Sequence, residues 1–205
     1  MANGLCHLAR SHGSEGGGLN DGVSMISLAQ LETARLHLRP WARADRDPFA
    51  ALNADRRVME FLPGVLSHAE SDALIDRIEA HFSTYGFGLW AVEVCDGGGF
   101  AGFVGLSIPR HAFAFSPCVE VGWRLAYPYW GQGYATEAAV AALSFGFSDR
   151  GFGEIVSFTV ADNWRSRRVM ERIGMVHDAS DDFDHPLFRA GHRLRRHVLY
   201  RKAGC

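Results

Sequence analysis

The sequence is short of paired cysteines, of net charge and of long apolar runs, and each shortage removes a class of explanation. Its four cysteines, Cys6, Cys95, Cys118 and Cys205, lie far apart and form no C-x-x-C pair. That argues against a disulfide framework or a structural zinc. The formal net charge is only −2, so no basic field draws nucleic acid or anionic lipid to the whole surface. No membrane or nucleic-acid partner is therefore expected. No apolar stretch approaches the roughly 20 residues that span a bilayer. The first thirty residues hold no apolar signal-peptide core, so the expected setting is the cytosol.

What remains is an ordinary globular composition: 205 residues, 47% apolar and 21% charged, enough for one domain with a sizeable core. Residues 1 to about 30 read as a flexible extension, because Ser11-His12-Gly13-Ser14-Glu15-Gly16-Gly17-Gly18 has nothing to bury. A single domain over 31–205 is expected to follow, without internal repeats.

Within that domain the pattern alternates between strand and helix signals. Leu36 to Arg39 alternates and ends at Pro40, a short strand. A helix is expected near Pro48, with Asp47 as cap. Ser67-His68-Ala69-Glu70 is a capping box, and Leu74, Ile75, Ile78, Phe82 and Tyr85 follow at helical spacing up to Gly86. Trp90 to Val94 and Phe100 to Ile108 read as two strands joined by Asp96-Gly97-Gly98-Gly99. Val119, Val121, Trp123 and Leu125 alternate as a further strand, in which Gly122 marks a bulge or a close backbone approach. Ala135 to Phe147 is apolar almost all round and predicts a helix buried against a sheet. Glu154 to Val160 is a strand. Asn163 caps a short helix carrying Val169, Met170 and Ile173 and ending at Gly174, and Arg195 to Arg201 forms a last strand. The fold class is α+β, or mixed α/β.

The most informative stretch runs from the strand at 119–125 through Trp130-Gly131-Gln132-Gly133-Tyr134-Ala135-Thr136 into the buried helix. Glycines at 131 and 133 let backbone N–H groups converge on one point, and the helix behind them adds its own unpaired donors and dipole. Such a turn suits a pyrophosphate, although two glycines also make a tight turn where a strand meets a helix. No Lys-Ser or Lys-Thr follows the glycines, so the P-loop pattern fails. The full G-x-G-x-x-G of a Rossmann fold is absent.

At these residues the sequence resembles the GNAT acetyltransferases, and within them the RimJ/RimL-type branch. The family's acetyl-CoA signature is Gln or Arg, two variable residues, Gly, one variable residue, then Gly or Ala. Here Trp130 stands in the leading place, as is usual in that branch, and Glu137 follows the turn. Leu31 to Trp41 looks like the branch's first strand. Asn163-Trp164-Arg165-Ser166 through Met175 looks like its Asn-x-x-Ser helix. The resemblance covers residues 31 to about 202. It implies a strongly twisted mixed sheet of about six or seven strands, with helices on both faces and central strands splayed for the cofactor. It implies acetyl-CoA as cosubstrate, an amine acceptor and no metal, and homodimers are frequent in the family. The residues it assigns to the cofactor are Val121, Trp123, Trp130, Gly131, Gln132, Gly133, Tyr134, Ala135, Thr136 and Asn163.

Acetyl transfer from a thioester to an amine needs an amine stripped of its proton, a polarised carbonyl and help for the departing thiolate. Ser166 shares a helix face with Asn163 and the apolar stripe, so its hydroxyl points inward. It is either a serine bonded back to the carbonyl of Asp162 or, as the resemblance implies, the general acid near the cofactor sulfur. Glu120 alternates away from Val119 and Val121, on the face it shares with Arg124. A carboxylate there is explained by an ion pair with a basic neighbour or by service as general base through a water. Asp181 to Pro186, with His192 and His197, superficially suggests metal, but its spacing matches no standard ligand set. The resemblance places that loop near the acceptor, where it would shape the amine pocket. Arg189, Arg193, Arg195 and Arg196 are a cluster that would attract an acidic acceptor or RNA, but they read first as a solvated strand face. Cys95 and Cys118 read as small core residues rather than nucleophiles.

The function expected is an N-acetyltransferase acting on a protein N-terminal amine or a small-molecule amine. A non-catalytic module that binds and senses acyl-CoA is the alternative, and a sensor would need neither Ser166 nor Glu120.

Overall fold

The computed structural model describes residues 29–204. Residues 1–28, and with them most of the expected extension, lie outside it, as do Cys6 and Cys205. The sheet runs in the order β1 (Leu31–Glu32), β2 (Leu36–Arg39), β3 (Leu89–Val94), β4 (Gly99–Ser107), β5 (Glu120–Leu125), β6 (Glu154–Val160), β9 (Arg196–Ala203) and β7 (Val176–His177). A further strand, β8 (Phe183–Asp184), also pairs with β9. The helices are α1 (Arg46–Ala54), α2 (His68–Tyr85), α3 (Tyr134–Ser148) and α4 (Trp164–Arg172). Six of the described strands have four residues or more, the number the sequence pattern supports. β1, β7 and β8 have two residues each, too few for alternation to register.

Most elements start where their local chemistry says they should. The Ser67–Glu70 capping box is formed, and Gly86 closes α2 in the left-handed conformation at φ 73°. α1 departs from expectation. It begins at Arg46, two residues early, and Pro48 sits inside its first turn. Its cap position is Asp45 rather than Asp47. Asp45 is buried and receives two hydrogen bonds from the Arg39 guanidinium, at 2.7 and 2.9 Å. A bidentate ion pair under the helix therefore fixes the start.

Helices cover both faces of the sheet. Phe49 of α1 packs edge-on to Phe103 of β4, with ring centroids 6.0 Å apart. α3 lies against the other face, where a Cβ at Gly146 would meet Ile155 at 2.6 Å and Leu106 at 2.9 Å. Glycine there lets the helix close onto β4 and β6. α3 is not buried all round as its composition suggests: Ala138, Ala139, Ala142 and Leu143 are buried, but Val140 faces out at 51% exposure.

The feature that positions the site is a split in the sheet. β4 and β5 pair over six residues and β6 and β9 over seven, all antiparallel. β5 and β6 run parallel and share one pair, Glu120 with Val156. Beyond that bridge the strands diverge. No register shift occurs at Gly122, which faces Gly105 in an unbroken ladder, so the expected bulge is absent.

Candidate active site

A cavity of about 620 Å³ fills the split. β5 supplies one wall, Ser157, Phe158 and Thr159 of β6 the other, and the starts of α3 and α4 close one end. Arg57, Val58, Phe61 and Leu62, from the segment between α1 and α2, also line it, and Arg165 at the start of α4 reaches that segment through Glu60 and Phe61.

At the start of α3, Gly131 and Gly133 take φ values of 76° and 85°, conformations that side chains disfavour. The backbone N–H groups of Gly131 through Thr136 donate to no acceptor among the described residues. Six consecutive open donors at the positive end of a fifteen-residue helix form an anion cradle, and a pyrophosphate fits its chemistry. Glu137 anchors the turn from behind. It accepts hydrogen bonds from Thr33 Oγ1 (2.6 Å), Arg35 N (2.9 Å) and Arg35 Nε (2.7 Å), while Arg35 also donates to the Gln132 carbonyl (3.0 Å). These contacts hold the Glu137 carboxyl below its ordinary value against the opposing effect of burial. Trp130 is fixed by its indole N–H, which donates to the Leu125 carbonyl at 2.8 Å, and by the Arg165 guanidinium 4.7 Å from its ring.

The cavity wall contains Trp123, Trp130, Gly131, Gly133, Tyr134, Ala135, Thr136 and Asn163 among the residues expected at the cofactor, and both Ser166 and Glu120. The side chains of Val121 and Gln132 do not line it, although the Gln132 backbone N–H belongs to the open row of donors. The Val121 side chain is in the core, and Gln132 is exposed, its amide donating to the Pro128 carbonyl at 2.8 Å.

Asn163 caps α4, its Oδ1 accepting from Ser166 N at 3.3 Å and its Nδ2 donating to Thr159 Oγ1 at 2.9 Å. The Ser166 hydroxyl makes no bond back to Asp162 or to any other described residue. Every fully buried side-chain oxygen or nitrogen among the described residues has a partner, so this hydroxyl is open to the cavity. The same reasoning applies to Glu120, whose carboxyl has neither a hydrogen bond nor an ion pair in the described chain. Its burial at the root of the split pushes its pKa up to about 8. The ion-pair explanation of Glu120 fails because Arg124 turns away, donating from Nη1 to Asn53 Oδ1 at 2.6 Å.

Other candidates fall away from the cavity. Phe183, His185 and His197 pack behind Phe158 with centroid separations of 5.5 to 6.3 Å, so they back the wall without lining it. Among the described residues no group of three His, Cys, Asp or Glu is placed to hold a metal. Arg195 and Arg196 pair with Asp184, and Arg193 donates to the Glu60 carbonyl. Cys95 and Cys118 are half-buried rather than in the core, and burial raises the Cys118 thiol pKa, which disfavours its thiolate. No described helix is long and apolar enough to cross a membrane.

Sequence patterning did not single out Arg57, Val58, Phe61 and Leu62, because they lie in irregular backbone without periodicity. The Arg124 signal was present, as a charge alternating with Glu120 across Gly122.

Residues 35–176 match the family model described as an acetyltransferase (GNAT) domain. The chain is similar to the uncharacterized protein YkkB of Bacillus subtilis, 33% identical over 74% of this chain and 87% of that one. It is also similar to an Aspergillus fumigatus protein named FsC-acetyl coenzyme A-N(2)-transacetylase, 31% identical over 72% of this chain and 65% of that one. The crystal structure of an acetyltransferase from Agrobacterium tumefaciens superposes with a TM-score of 0.69 at 28% identity, covering 91% of this chain and 99% of that one.

Proposed function

This chain belongs to the GNAT acetyltransferase family, and on that premise we propose that it transfers the acetyl group of acetyl-CoA to a primary amine in a ternary complex. The observation that carries the reading is the split between β5 and β6. It brings the open N–H groups of residues 131–136, the free Ser166 hydroxyl and the unpaired Glu120 carboxyl onto one cavity.

The division of labour follows from that placement. The helix-start donors would hold the pyrophosphate and so set the depth at which the thioester enters the split. Glu120, with a pKa near 8, takes the proton from the incoming ammonium, directly or through a water. The amine nitrogen then bonds to the acetyl carbon as the carbon–sulfur bond breaks. The nitrogen gives up its second proton as the amide forms, and that proton passes through the Ser166 hydroxyl to the departing sulfur, leaving the serine unchanged. The sulfur needs little help because a free thiol has a pKa near 8.5. The likeness to the RimJ/RimL branch in residues 130–137 and 163–175 leaves a protein N-terminus and a small amine both within the acceptor class. A sensing module has no use for two unpartnered proton-transfer groups at the same split.

The test is a thermal-shift titration with acetyl-CoA, with NAD as control, followed by thiol release in the presence of an amine panel. A ligand at a hundredfold excess over its Kd adds about 2.7 kcal/mol, which for this size is about 5 to 11 °C. A shift with acetyl-CoA alone, and amine-dependent thiol release, are the expected results. No shift at saturation would remove the cofactor assignment, and a shift without thiol release from any amine would favour the sensor.

A further inference from the structure

Among the described residues Arg124, like Arg168 and Arg172 on the same cavity wall, is a cation without a carboxylate partner. Arg35, Arg39, Arg46, Arg57, Arg165 and Arg201 each pair with an Asp or Glu, but Arg124 has no such partner. Its side chain's one hydrogen bond among the described residues goes to the amide oxygen of Asn53, a residue with no solvent exposure. Asn53 is held in turn, its Nδ2 donating to Ser71 Oγ at 3.2 Å and Ser71 Oγ donating to the Ser67 carbonyl at 3.0 Å. This chain, running through α1 and α2, fixes one edge of the guanidinium. The Phe103 ring, 5.3 Å away, bounds it on another side.

The rest of the guanidinium faces the cavity. Arginine carries five N–H donors, and no fully buried nitrogen among the described residues lacks a partner. The unbonded Nε and Nη2 are therefore open to the cavity that Arg124 lines. Burial has lowered the Arg124 pKa to about 10, which reflects the cost of holding that charge with too little compensation. Among the described residues Glu120 is the only carboxylate on the cavity wall, and it makes no ion pair with Arg124.

The floor between the two groups is clear. Glu120, Gly122 and Arg124 alternate onto one face of β5, opposite Ser107, Gly105 and Phe103 of β4. A Cβ at Gly122 would meet nothing within 4 Å. Four residues of strand place the two Cα atoms roughly 13 Å apart, and the two side chains span part of that distance.

The geometry points to an acceptor that carries a carboxylate as well as the amine, with the carboxylate received by Arg124 and the amine delivered to Glu120 across Gly122. This rests on the acetyltransferase reading above and narrows its acceptor to amino-carboxylic acids whose two groups are several carbons apart. The planar fork of the guanidinium suits a carboxylate bidentately, and Asn53 pre-orients it, so little freedom is lost on binding. An α-amino acid acetylated at its α-amine holds its two groups much closer together than the two Cα atoms lie. A side-chain amine, or an ω-amine on a chain of several carbons, is long enough.

The experiment compares matched acceptors, 6-aminohexanoate against 6-aminohexanamide and lysine against lysinamide, by thiol release from acetyl-CoA. The binding of the products 6-acetamidohexanoate and 6-acetamidohexanamide is followed in parallel by thermal shift. The wild-type protein should prefer each carboxylate over its amide by about tenfold to hundredfold, the usual range for a hydrogen-bonded charge, mainly through KM. Arg124→Gln should bring that ratio close to one, and Arg124→Lys should leave an intermediate ratio, since the charge stays but the fork is lost. Because the readout is a ratio within one protein, a partial loss of fold in either variant does not mimic the effect. The acetyl-CoA shift monitors the fold separately.

A wild-type ratio near one in both rate and product binding overturns the inference. So does a ratio that survives Arg124→Gln. Either result leaves the acetyltransferase reading standing if the amides are acetylated. Conversely, Arg124-dependent binding of the carboxylate product, without thiol release from any amine, would sink the acetyltransferase reading and keep the anion site.

Discussion

Gly105 and Gly122 face each other across β4 and β5, but only one of them has room for a side chain. A Cβ at Gly105 would lie 2.2 Å from the Gly88 carbonyl oxygen and 2.8 Å from the Leu89 Cα, both backbone. A Cβ at Gly122 would project into the open cavity. The first glycine lets the sheet close, and the second keeps the floor of the split clear.

Substitution should separate the two roles. Gly105→Ala is expected to cost about 3 kcal/mol or more, because backbone must move, and to lower Tm by about 6 °C or more. Gly122→Ala should stay within about 0.5 kcal/mol of wild type while raising KM for the acceptor. Urea unfolding and steady-state kinetics on the two variants measure this.

Glu120→Gln should lower kcat by about a hundredfold or more and leave the acetyl-CoA thermal shift nearly intact. The wild-type kcat/KM should rise with pH to a plateau above about 8, as the carboxyl ionises, and the variant should lose that limb. A wild-type rate in the variant would remove Glu120 from the mechanism.

The same raised pKa makes a stability prediction. The folded protein holds the Glu120 proton up to about pH 8, whereas an unperturbed glutamate releases it near 4.5. Between those values the folded state binds more protons, so stability falls as pH rises through that window. Melting curves of Glu120→Gln should match wild type near pH 4.5 and lie above it at pH 8.5.

Ser166→Ala should reduce kcat on the order of tenfold or more, with a smaller effect on acetyl-CoA binding. Equal losses in both would make Ser166 a packing residue. The cap should survive, because Asn163 receives the Ser166 backbone N–H and not its hydroxyl.

Glu137→Ala strips Thr33 and Arg35 of a shared acceptor and is expected to cost about 1 to 3 kcal/mol. It should also weaken acetyl-CoA binding, because the turn at residues 131–133 loses its anchor through Arg35 and Gln132. Isothermal titration with acetyl-CoA and thermal melts on the variant check both losses.

His185 lies 5.0 Å, ring to ring, from His197, and burial, helped by the charges of His197 and His111, lowers its pKa to about 4. A histidine held neutral in the fold takes up its proton on unfolding. The stability it contributes is present above about pH 6.5 and is lost as pH falls toward 4. His185→Asn keeps an acceptor for the Leu187 N–H, now bonded at 3.2 Å. Its Tm should fall less than the wild type's over that range.

Local chemistry in the sequence determined a large part of this protein. The capping box at Ser67, the glycine stops at 86 and 174, the hairpin glycines at 97–99 and the alternation through β3 to β6 depend on neighbours within a few residues. They are therefore legible one residue at a time. The glycine turn at 131–133 was legible for the same reason, since a helix start carries its open donors wherever it packs. Tertiary structure alone decided what could be done with those parts. Nothing local says that β5 and β6 meet at a single pair and then part, because that depends on residues 36 apart in sequence, Glu120 and Val156, and on what fills the gap. The start of α1 moved for a comparable reason: a buried Asp45 gains more from the Arg39 fork than Asp47 gains as an exposed cap. Glu120 and Arg124 were recognisable as charges on one strand face, but the sequence was equally compatible with their pairing. Only Asn53, held by Ser71 from another helix, turns the guanidinium away and leaves both charges facing the same cavity.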